Sequence, residues 1–312
     1  MEQTNRLEVF MRKLLSSFIA LLLVISLITY INNSGEYQAE NNTIQERQNS
    51  NLIIYFLDVG EADSVLINSE GEYILIDAGN YLDKDNLCEY FHNLGITNFT
   101  YVIGTHPHED HIGGIAQILR EFSVEHLLMP DIKVEYNSYQ SIITEAQKKN
   151  LAIETPEIDE ELIVNNAKLK VLSIGNDKTD INNSSIVIKL AYQDISALFM
   201  ADAEKETELK LLDKDIKSTV LKVGHHGSGY ASSAQFLKKV NPEYAIIAVG
   251  KDNEYNHPRE VVLNKLYTLG SKVYRTDTDG TIILLSDGER IDIKKEQTNT
   301  NGGDPKRGNK EN

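Results

Sequence analysis

A dense group of potential metal ligands lies about one third of the way along the chain. Residues 106–111 read His-Pro-His-Glu-Asp-His, so three imidazoles and two carboxylates fall within six positions. Imidazole and carboxylate are usual ligands of zinc, and mixtures of the two also suit manganese or iron. His106 and His108 alternate and can face one ion, whereas the adjacent Asp110 and His111 can turn toward a second. The alternative is a polar turn whose histidines only cap a helix. That alternative requires four potential ligands to fall within six residues by chance. We therefore predict a metal site.

The segments around this cluster predict how it is positioned. The apolar run Tyr101–Gly104 precedes it, and the helical periodicity of Ile115–Phe122 follows it. A strand should therefore lead into the cluster and a helix should leave it. Strand-like and helical segments alternate elsewhere too, as at Glu72–Ile76, Asn86–Leu94 and Val124–Met129. This order indicates an α/β protein whose sheets are covered by helices.

Composition limits the possible functions. The chain has 312 residues, of which 41% are hydrophobic, so it can bury a full core. Its formal net charge of −16 argues against a broad basic surface for duplex DNA, although a local basic rim could still hold one phosphate. Cys88 is the single cysteine, which excludes an internal disulfide and a cysteine-rich zinc site.

The first 31 residues have the pattern of a membrane anchor. Arg6, Arg12 and Lys13 precede Leu14–Ile31, an apolar run that would span about 27 Å as a helix. An uncleaved signal-anchor is favoured over a cleaved signal, and both over a soluble core helix. The preceding positive charges place the N-terminus in the cytoplasm. We therefore expect a single-pass protein of the bacterial cell membrane with an extracellular catalytic domain, or a secreted one if the signal is cleaved.

The polarity of the sequence divides residues 32–312 into three segments. Residues 32–50 are rich in Asn, Gln and Glu and predict a flexible linker. The catalytic domain is predicted at residues 51–294. The polar residues 295–312 predict a disordered tail.

Several motifs together resemble a known family. The cluster at residues 106–111, preceded by Leu-Ile-Asp-Ala-Gly at residues 75–79, resembles the metallo-β-lactamase superfamily. Four more segments resemble its ComEC-type (DNA-uptake, competence) branch: Phe56–Ser64, Leu221–Ser228, Gly250–Pro258 and Val273–Asp277. Glu61 and Ala62 stand where that branch usually has Gln-Gly. Because the chain has room for one hydrophobic segment, the uptake role of a multi-span channel does not transfer.

The resemblance implies a fold and a metal centre. The fold is an αββα sandwich of two mixed β-sheets flanked by helices, here behind the N-terminal anchor. The centre holds two divalent metal ions, Zn or Mn. The implied ligands are His106, His108, Asp110, His111, Asp202 and His226. Asp202 would bridge the two ions, although an Asp there could instead cap a helix over residues 203–212.

Two positions in this ligand set stay open. His225 and His226 are adjacent, and we prefer His226 as the ligand and His225 as a proton donor, although the two could be exchanged. Where the family has a third imidazole for the first ion, this chain has Asn-Asn-Ser-Ser at residues 182–185. Water or an Asn oxygen would then fill the gap, which would weaken zinc binding there and favour manganese.

Other polar residues are candidates for contacting the substrate. These are Asn183, Lys222 and His257, followed by Lys251, Arg259 and Arg275. For the cations, a solvated surface charge is the alternative. For His257, the alternative is a turn histidine fixed by Pro258.

Three functions remain possible. The first is an extracytoplasmic phosphodiesterase, most simply a nuclease, in which Asp110 and Asp202 orient a hydroxide held between two ions. Its catalytic residues would be Asp110, Asp202 and His225, and its substrate single-stranded or short DNA. The second is another cell-surface phosphoesterase acting on a cell-wall phosphoester, such as a phosphorylcholine esterase. The third is a non-catalytic surface binding module. β-Lactamase activity is not expected, and we expect a monomer with a single membrane anchor.

Overall fold

The computed structural model describes residues 50–297. The anchor predicted at residues 1–31, nearly all of the predicted linker and most of the predicted tail lie outside this range. Between residues 50 and 297, no helix has the length and hydropathy needed to cross a bilayer.

Fifteen strands run through the described residues. In chain order they are β1 (Leu52–Phe56), β2 (Val65–Ser69), β3 (Glu72–Ile76), β4 (Asn98–Ile103), β5 (Ser123–Leu128), β6 (Ile153–Glu154), β7 (Glu161–Val164), β8 (Ala167–Ser173), β9 (Val187–Tyr192), β10 (Ile195–Phe199), β11 (Val220–Lys222), β12 (Tyr244–Ile247), β13 (Lys272–Arg275), β14 (Thr281–Ser286) and β15 (Ile291–Glu296).

The helices lie between these strands. They are α1 (Lys84–Asn93), α2 (Glu109–Ile112), α3 (Ile115–Glu121), α4 (Asn137–Lys148), α5 (Lys205–Leu211), α6 (Ala234–Val240), α7 (Glu260–Thr268) and α8 (Thr276–Asp279). Short 3₁₀ turns occur at Tyr81–Asp83, Asn182–Ser184 and His225–Gly227.

The strands form two mixed sheets. The first has the order β15-β14-β1-β2-β3-β4-β5-β6, in which β3 to β6 are parallel and the remaining pairs are antiparallel. The second has the order β13-β12-β11-β10-β9-β8-β7, in which β10 to β13 are parallel.

The sheets pack face to face, and strand β1 shows how. Leu52, Ile54 and Phe56 belong to the core that joins the first sheet to the second. Ile53 and Tyr55 point the other way, into the core beneath the helices. Successive side chains of a strand alternate between faces, so a strand covered on both faces is apolar throughout. This explains the unbroken apolar run at the start of the domain.

Helices cover the outer face of each sheet. Phe91 of α1, Ile118 of α3 and Ile142 of α4 join the core outside the first sheet. Phe236 of α6 and Leu263 of α7 join the core outside the second sheet. The αββα arrangement of two mixed sheets flanked by helices is therefore confirmed.

The end of the domain differs from the prediction. Strand β15 continues to Glu296, where Lys295 and Glu296 lie opposite Ile282 and Thr281 of β14. The predicted boundary at Lys294 is thus two residues short. The last three residues of this edge strand, Lys294, Lys295 and Glu296, are all charged, so its end resembles the composition of a tail.

Candidate metal centre

The His-rich cluster lies just beyond the carboxyl end of β4, as the sequence predicts. His108 precedes the short helix α2, which carries Asp110 and His111. The glycine that follows permits a close approach of two backbone segments, since a Cβ on Gly114 would lie 2.3 Å from the carbonyl oxygen of Ala78. The cluster is thereby held against the end of β3.

One group of ligands consists of His106, His108 and Asp202. Nε2 of His106 lies 3.0 Å from Nδ1 of His108 and 3.8 Å from Oδ2 of Asp202. Burial lowers the pKa of His106 well below its ordinary value, and it also lowers the pKa of His108. Both imidazoles are therefore neutral, which is the form that binds a cation.

A second group consists of Asp110, His111, Asp202 and His226. Their ligand atoms all lie within 4.8 Å of one another. Nε2 of His111 is 3.2 Å from Oδ1 of Asp202, and Nε2 of His226 is 3.3 Å from Oδ2 of Asp110. In the described part of the chain, the buried atoms His111 Nε2 and Asp202 Oδ1 face each other at 3.2 Å but do not have the geometry of a hydrogen bond. Buried polar atoms are normally paired, so these two fit a site that takes a cation.

Hydrogen bonds behind the ligands fix which nitrogen faces the site. Nδ1 of His111 donates to Oδ2 of Asp77 at 2.8 Å, and Nδ1 of His226 donates to the carbonyl oxygen of Ala248 at 2.9 Å. In the neutral form of each ring the lone pair is then on Nε2, the atom that faces the other ligands.

Asp77 also orients the first group. It accepts hydrogen bonds from the backbone N–H of Thr105 at 2.8 Å and from the Thr105 hydroxyl at 2.7 Å. Because that hydroxyl donates to Asp77, its oxygen can accept from Nδ1 of His106, 3.2 Å away. One buried carboxylate therefore positions a ligand of each group.

The charges in the second group depend strongly on one another. Burial disfavours a charged His111, but Asp202, Asp77 and Asp110 outweigh burial and raise its pKa well above the ordinary value. In the same way, Asp202 and Asp110 overcome burial and raise the pKa of His226 to about 9. The histidines hold the pKa of Asp202 well below its usual range despite burial. The pocket thus favours positive charge, whether it comes from protons or from metal ions.

Asp202 lies between the two groups. Its Oδ1 faces His111 and His226, at 3.2 and 3.7 Å, whereas its Oδ2 faces His106 and His225 at 3.8 and 3.7 Å. The alternative of a helix cap does not apply, because α5 begins at Lys205 and Glu204 is its N-cap. Each oxygen is thus available to a different ion, as a bridging carboxylate requires.

Four residues at this centre have a left-handed backbone conformation. Asp77, Ala201, His225 and His226 all have positive φ, between 46° and 59°. Residues other than glycine rarely adopt this left-handed conformation, and they retain it where the surrounding structure enforces it, often at functional sites.

His225 and His226 have different surroundings. His226 is buried and belongs to the second ligand group, whereas the side chain of His225 is 20% exposed. Nδ1 of His225 lies 3.0 Å from Oε1 of Glu204. His257 lies on the same side, with its ring 5.7 Å from that of His225 and its Nδ1 3.1 Å from Oε1 of Glu61. His225 and His257 therefore border the ligand groups from one side.

Two of the expected substrate contacts lie elsewhere. Lys222 is 1% exposed, and its ammonium group pairs with the buried carboxylate of Asp63. Asn183 accepts hydrogen bonds from the backbone of Glu204 and Thr207 at the start of α5, at 3.0 and 3.2 Å. We therefore correct both expectations, because the polar atoms of these residues are engaged inside the protein.

The remaining candidates for a substrate contact differ in whether they are paired or exposed. The Arg275 guanidinium is paired with Asp277, with Nε 3.0 Å from Oδ1. Lys251 and Arg259 are exposed. His92 and His126 contact Glu121 and Glu154, outside the ligand groups, as expected of structural or surface histidines.

Sequence reasoning missed the residues that support the ligands. Asp77 lies within the Leu-Ile-Asp-Ala-Gly motif, which could have pointed to it. Asp63 also lies within a quoted motif, but its pairing with Lys222, 159 positions away, has no local signal. Glu204 could have been suspected only from its closeness to Asp202.

The fold and the two ligand groups sharing one carboxylate define a class of protein. The profile of the metallo-β-lactamase superfamily matches residues 57–251, and the chain belongs to this superfamily.

Curated relatives place the chain within the superfamily. It is 31% identical over 247 residues to ComE operon protein 3 of Bacillus subtilis, which covers 72% of this chain and 32% of that protein. It is 29% identical over 248 residues to Recombination protein 2 of Haemophilus influenzae, covering 78% and 30%. Competence protein ComA of Neisseria gonorrhoeae is 25% identical over 229 residues, covering 72% and 31%. The resemblance to the ComEC-type branch is thus confirmed, and the chain spans about a third of the length of these relatives.

Solved structures support the fold. The metallo-β-lactamase fold protein YhfI of Bacillus subtilis has a TM-score of 0.51 at 11% identity, covering 72% of this chain and 96% of that one. A variant of the CmlA β-hydroxylase has a TM-score of 0.51 at 14% identity, covering 75% and 54%. The chain therefore has the metallo-β-lactamase fold, and its curated relatives include a competence protein.

Proposed function

We propose that this protein is an extracytoplasmic, metal-dependent phosphodiesterase that cleaves nucleic acid. The observation that carries the proposal is the sharing of Asp202 between two ligand groups, with one carboxylate oxygen directed to each. Simple binding of a ligand requires no such bridge, whereas hydrolysis at two adjacent cations does. The ComE operon, recombination and competence proteins to which the chain is similar support nucleic acid as the substrate.

The residues of the site have separate roles in this reaction. Two divalent ions, when bound, supply Lewis acidity and lower the pKa of water, so that a nucleophile exists near neutral pH. Asp110 and Asp202 hold negative charge at the centre, since the histidines keep the pKa of each carboxyl low despite burial. Glu204 holds Nδ1 of His225 at 3.0 Å, which leaves Nε2 directed toward Asp202, 3.7 Å from its Oδ2, where it would donate a proton to the departing oxygen.

Residues around the centre suit a short or single-stranded polymer. Tyr255 is 52% exposed and its ring lies nearly parallel to that of His257, with centroids 5.6 Å apart. Exposed aromatic rings stack on unpaired bases. Lys251 and Arg259 are exposed cations for a neighbouring phosphate. The net charge of −16 disfavours a long duplex footprint.

The test uses the purified full-length chain with Mn²⁺ or Zn²⁺ added. We expect hydrolysis of bis-p-nitrophenyl phosphate and of a labelled single-stranded oligonucleotide, and slower cleavage of the matching duplex. Asp110→Asn and Asp202→Asn should each abolish both activities. His126→Ala is the matched control, because His126 contacts Glu154 and Tyr101 instead of the ligands.

Other outcomes would replace the proposal. Cleavage of p-nitrophenyl phosphorylcholine without cleavage of DNA would identify a phosphorylcholine esterase, which the acidic charge of the chain also suits. Metal binding without hydrolysis of any ester would indicate a binding module.

A further inference from the structure

The first ligand group supplies three protein ligands and leaves the fourth position of a zinc-like site open. Its three protein ligands are His106, His108 and Asp202. Structural and catalytic zinc sites generally have four ligands, of which at least three come from protein. A neighbouring polar atom could therefore act as the fourth ligand of this ion.

The 3₁₀ turn Asn182–Ser184 is fixed next to this group. The hydroxyl of Ser185 lies 3.3 Å from Nδ1 of His106, and the backbone N–H of Ile186 donates to the carbonyl oxygen of Thr105 at 2.9 Å. These two contacts hold the residues after the turn directly against the first histidine of the cluster.

The two asparagines of this turn have opposite surroundings. Asn183 uses both ends of its amide, because its Oδ1 accepts from the start of α5 and its Nδ2 donates to Asp180 at 3.0 Å. Asn182 donates from Nδ2 to Oε1 of Glu204 at 3.4 Å, but its Oδ1 is buried with no partner among residues 50–297. Buried polar oxygens normally have a hydrogen-bond partner or a ligand, which makes this oxygen a candidate donor to a cation.

A surface pocket lies between Asn182 and one member of the first ligand group. It has a volume of about 260 Å³ and is lined by His108, Lys178, Thr179, Asp180, Ile181 and Asn182. Of the three ligands, His108 is in this lining, so the pocket places the turn that carries Asn182 beside that ligand. Glu204 restrains the amide nitrogen of Asn182 and Nδ1 of His225, so the amide oxygen is the end that remains available.

We propose that Asn182 donates its amide oxygen to the ion held by His106, His108 and Asp202. The inference rests on the metal centre of the proposed function and deepens it. The donor set becomes two imidazole nitrogens and two oxygens. An oxygen-rich set is harder than a set of three imidazoles, and it shifts preference from zinc toward manganese.

The test measures ion binding to the full-length chain, so it does not depend on turnover. Chelator competition gives the affinity for Mn²⁺ and Zn²⁺, and metal analysis gives the number of ions per chain. Asn182→Ala should lower the affinity for one of the two ions by about 10- to 100-fold and leave the affinity for the other unchanged. Asn182→His should restore a third imidazole and tighten zinc relative to manganese. Asn182→Asp, which keeps the shape of the side chain, should tighten both metals at this position.

Asn183→Ala is the matched control. It removes a helix-start contact and should lower the melting temperature while the affinities for both ions stay at the wild-type values. Wild-type affinity for both ions in Asn182→Ala, together with unchanged metal preference in Asn182→His, would overturn the inference. If the wild-type chain hydrolyses no phosphodiester but Asn182→Ala still weakens one ion, the inference stands and the proposed function fails.

Discussion

The carboxylate of Asp77 accepts a hydrogen bond from Nδ1 of His111 at 2.8 Å, at the base of the second ligand group. Through the Thr105 hydroxyl the same carboxylate also reaches His106. Asp77→Asn should therefore weaken both ions, by about 10- to 100-fold, because groups that orient metal ligands contribute that much to affinity. Chelator competition would measure this, and loss of only one ion would contradict the double role.

The buried pair of Lys222 and Asp63 should contribute to stability rather than to substrate binding. Lys222→Met removes the ammonium partner of the buried Asp63 carboxylate, whose remaining cationic neighbours are Nδ1 of His226 at 3.5 Å and Nδ1 of His111 at 3.9 Å. Breaking a buried ion pair costs at most roughly 3–5 kcal/mol, and these neighbours should offset part of that loss. The double variant Lys222→Met, Asp63→Asn should recover much of that loss. Urea unfolding of the metal-free chain would report it. An unchanged unfolding free energy in Lys222→Met, with weaker substrate binding, would restore the original expectation of a phosphate contact.

The two adjacent histidines should separate metal binding from proton transfer. His226→Ala should lose one ion per chain, because Nε2 of His226 lies among the atoms of the second ligand group. His225→Ala should keep both ions and lower kcat by roughly 10²- to 10⁴-fold, the usual contribution of a general acid. Metal analysis together with steady-state kinetics distinguishes the two roles. Loss of an ion in His225→Ala, with both ions kept in His226→Ala, would exchange the roles of the two histidines.

Ion binding at the second group should release protons. The pKa of His226 is raised to about 9, and that of His111 lies well above its ordinary value, so both rings are protonated at neutral pH until an ion displaces the protons. Affinity should then rise as pH increases from neutral through about 9, where His226 loses its proton. Calorimetry in buffers of different ionisation enthalpy would count the released protons. An affinity independent of pH between about 6 and 8 would be inconsistent with these raised pKa values.

The parts of the protein that follow local rules could be predicted from its sequence. The spacing of His106, His108, Asp110 and His111 is local, and so is the alternation of strands and helices that gives the αββα fold. The preference for His226 also agrees with its place in the second ligand group.

Pairings between distant residues could not be predicted. Lys222 looked like a surface cation beside a histidine loop, but strand β11 lies inside the second sheet, between β10 and β12. Its partner Asp63 is brought to it by the packing of one sheet on the other. Asn182 and Asn183 are neighbouring residues of the same type, so the sequence does not distinguish them. The position of α5 gives Asn183 a contact with the start of the helix, whereas the Oδ1 of Asn182 has no partner among residues 50–297.

The most direct test is the metal content of the full-length chain after removal and resupply of Mn²⁺ or Zn²⁺, compared with that of Asp202→Asn. We expect two ions per wild-type chain and, since Asp202 faces both ligand groups, fewer than two in the variant. A wild-type chain that retains no ion, or an Asp202→Asn variant that retains both at wild-type affinity, would contradict this expectation.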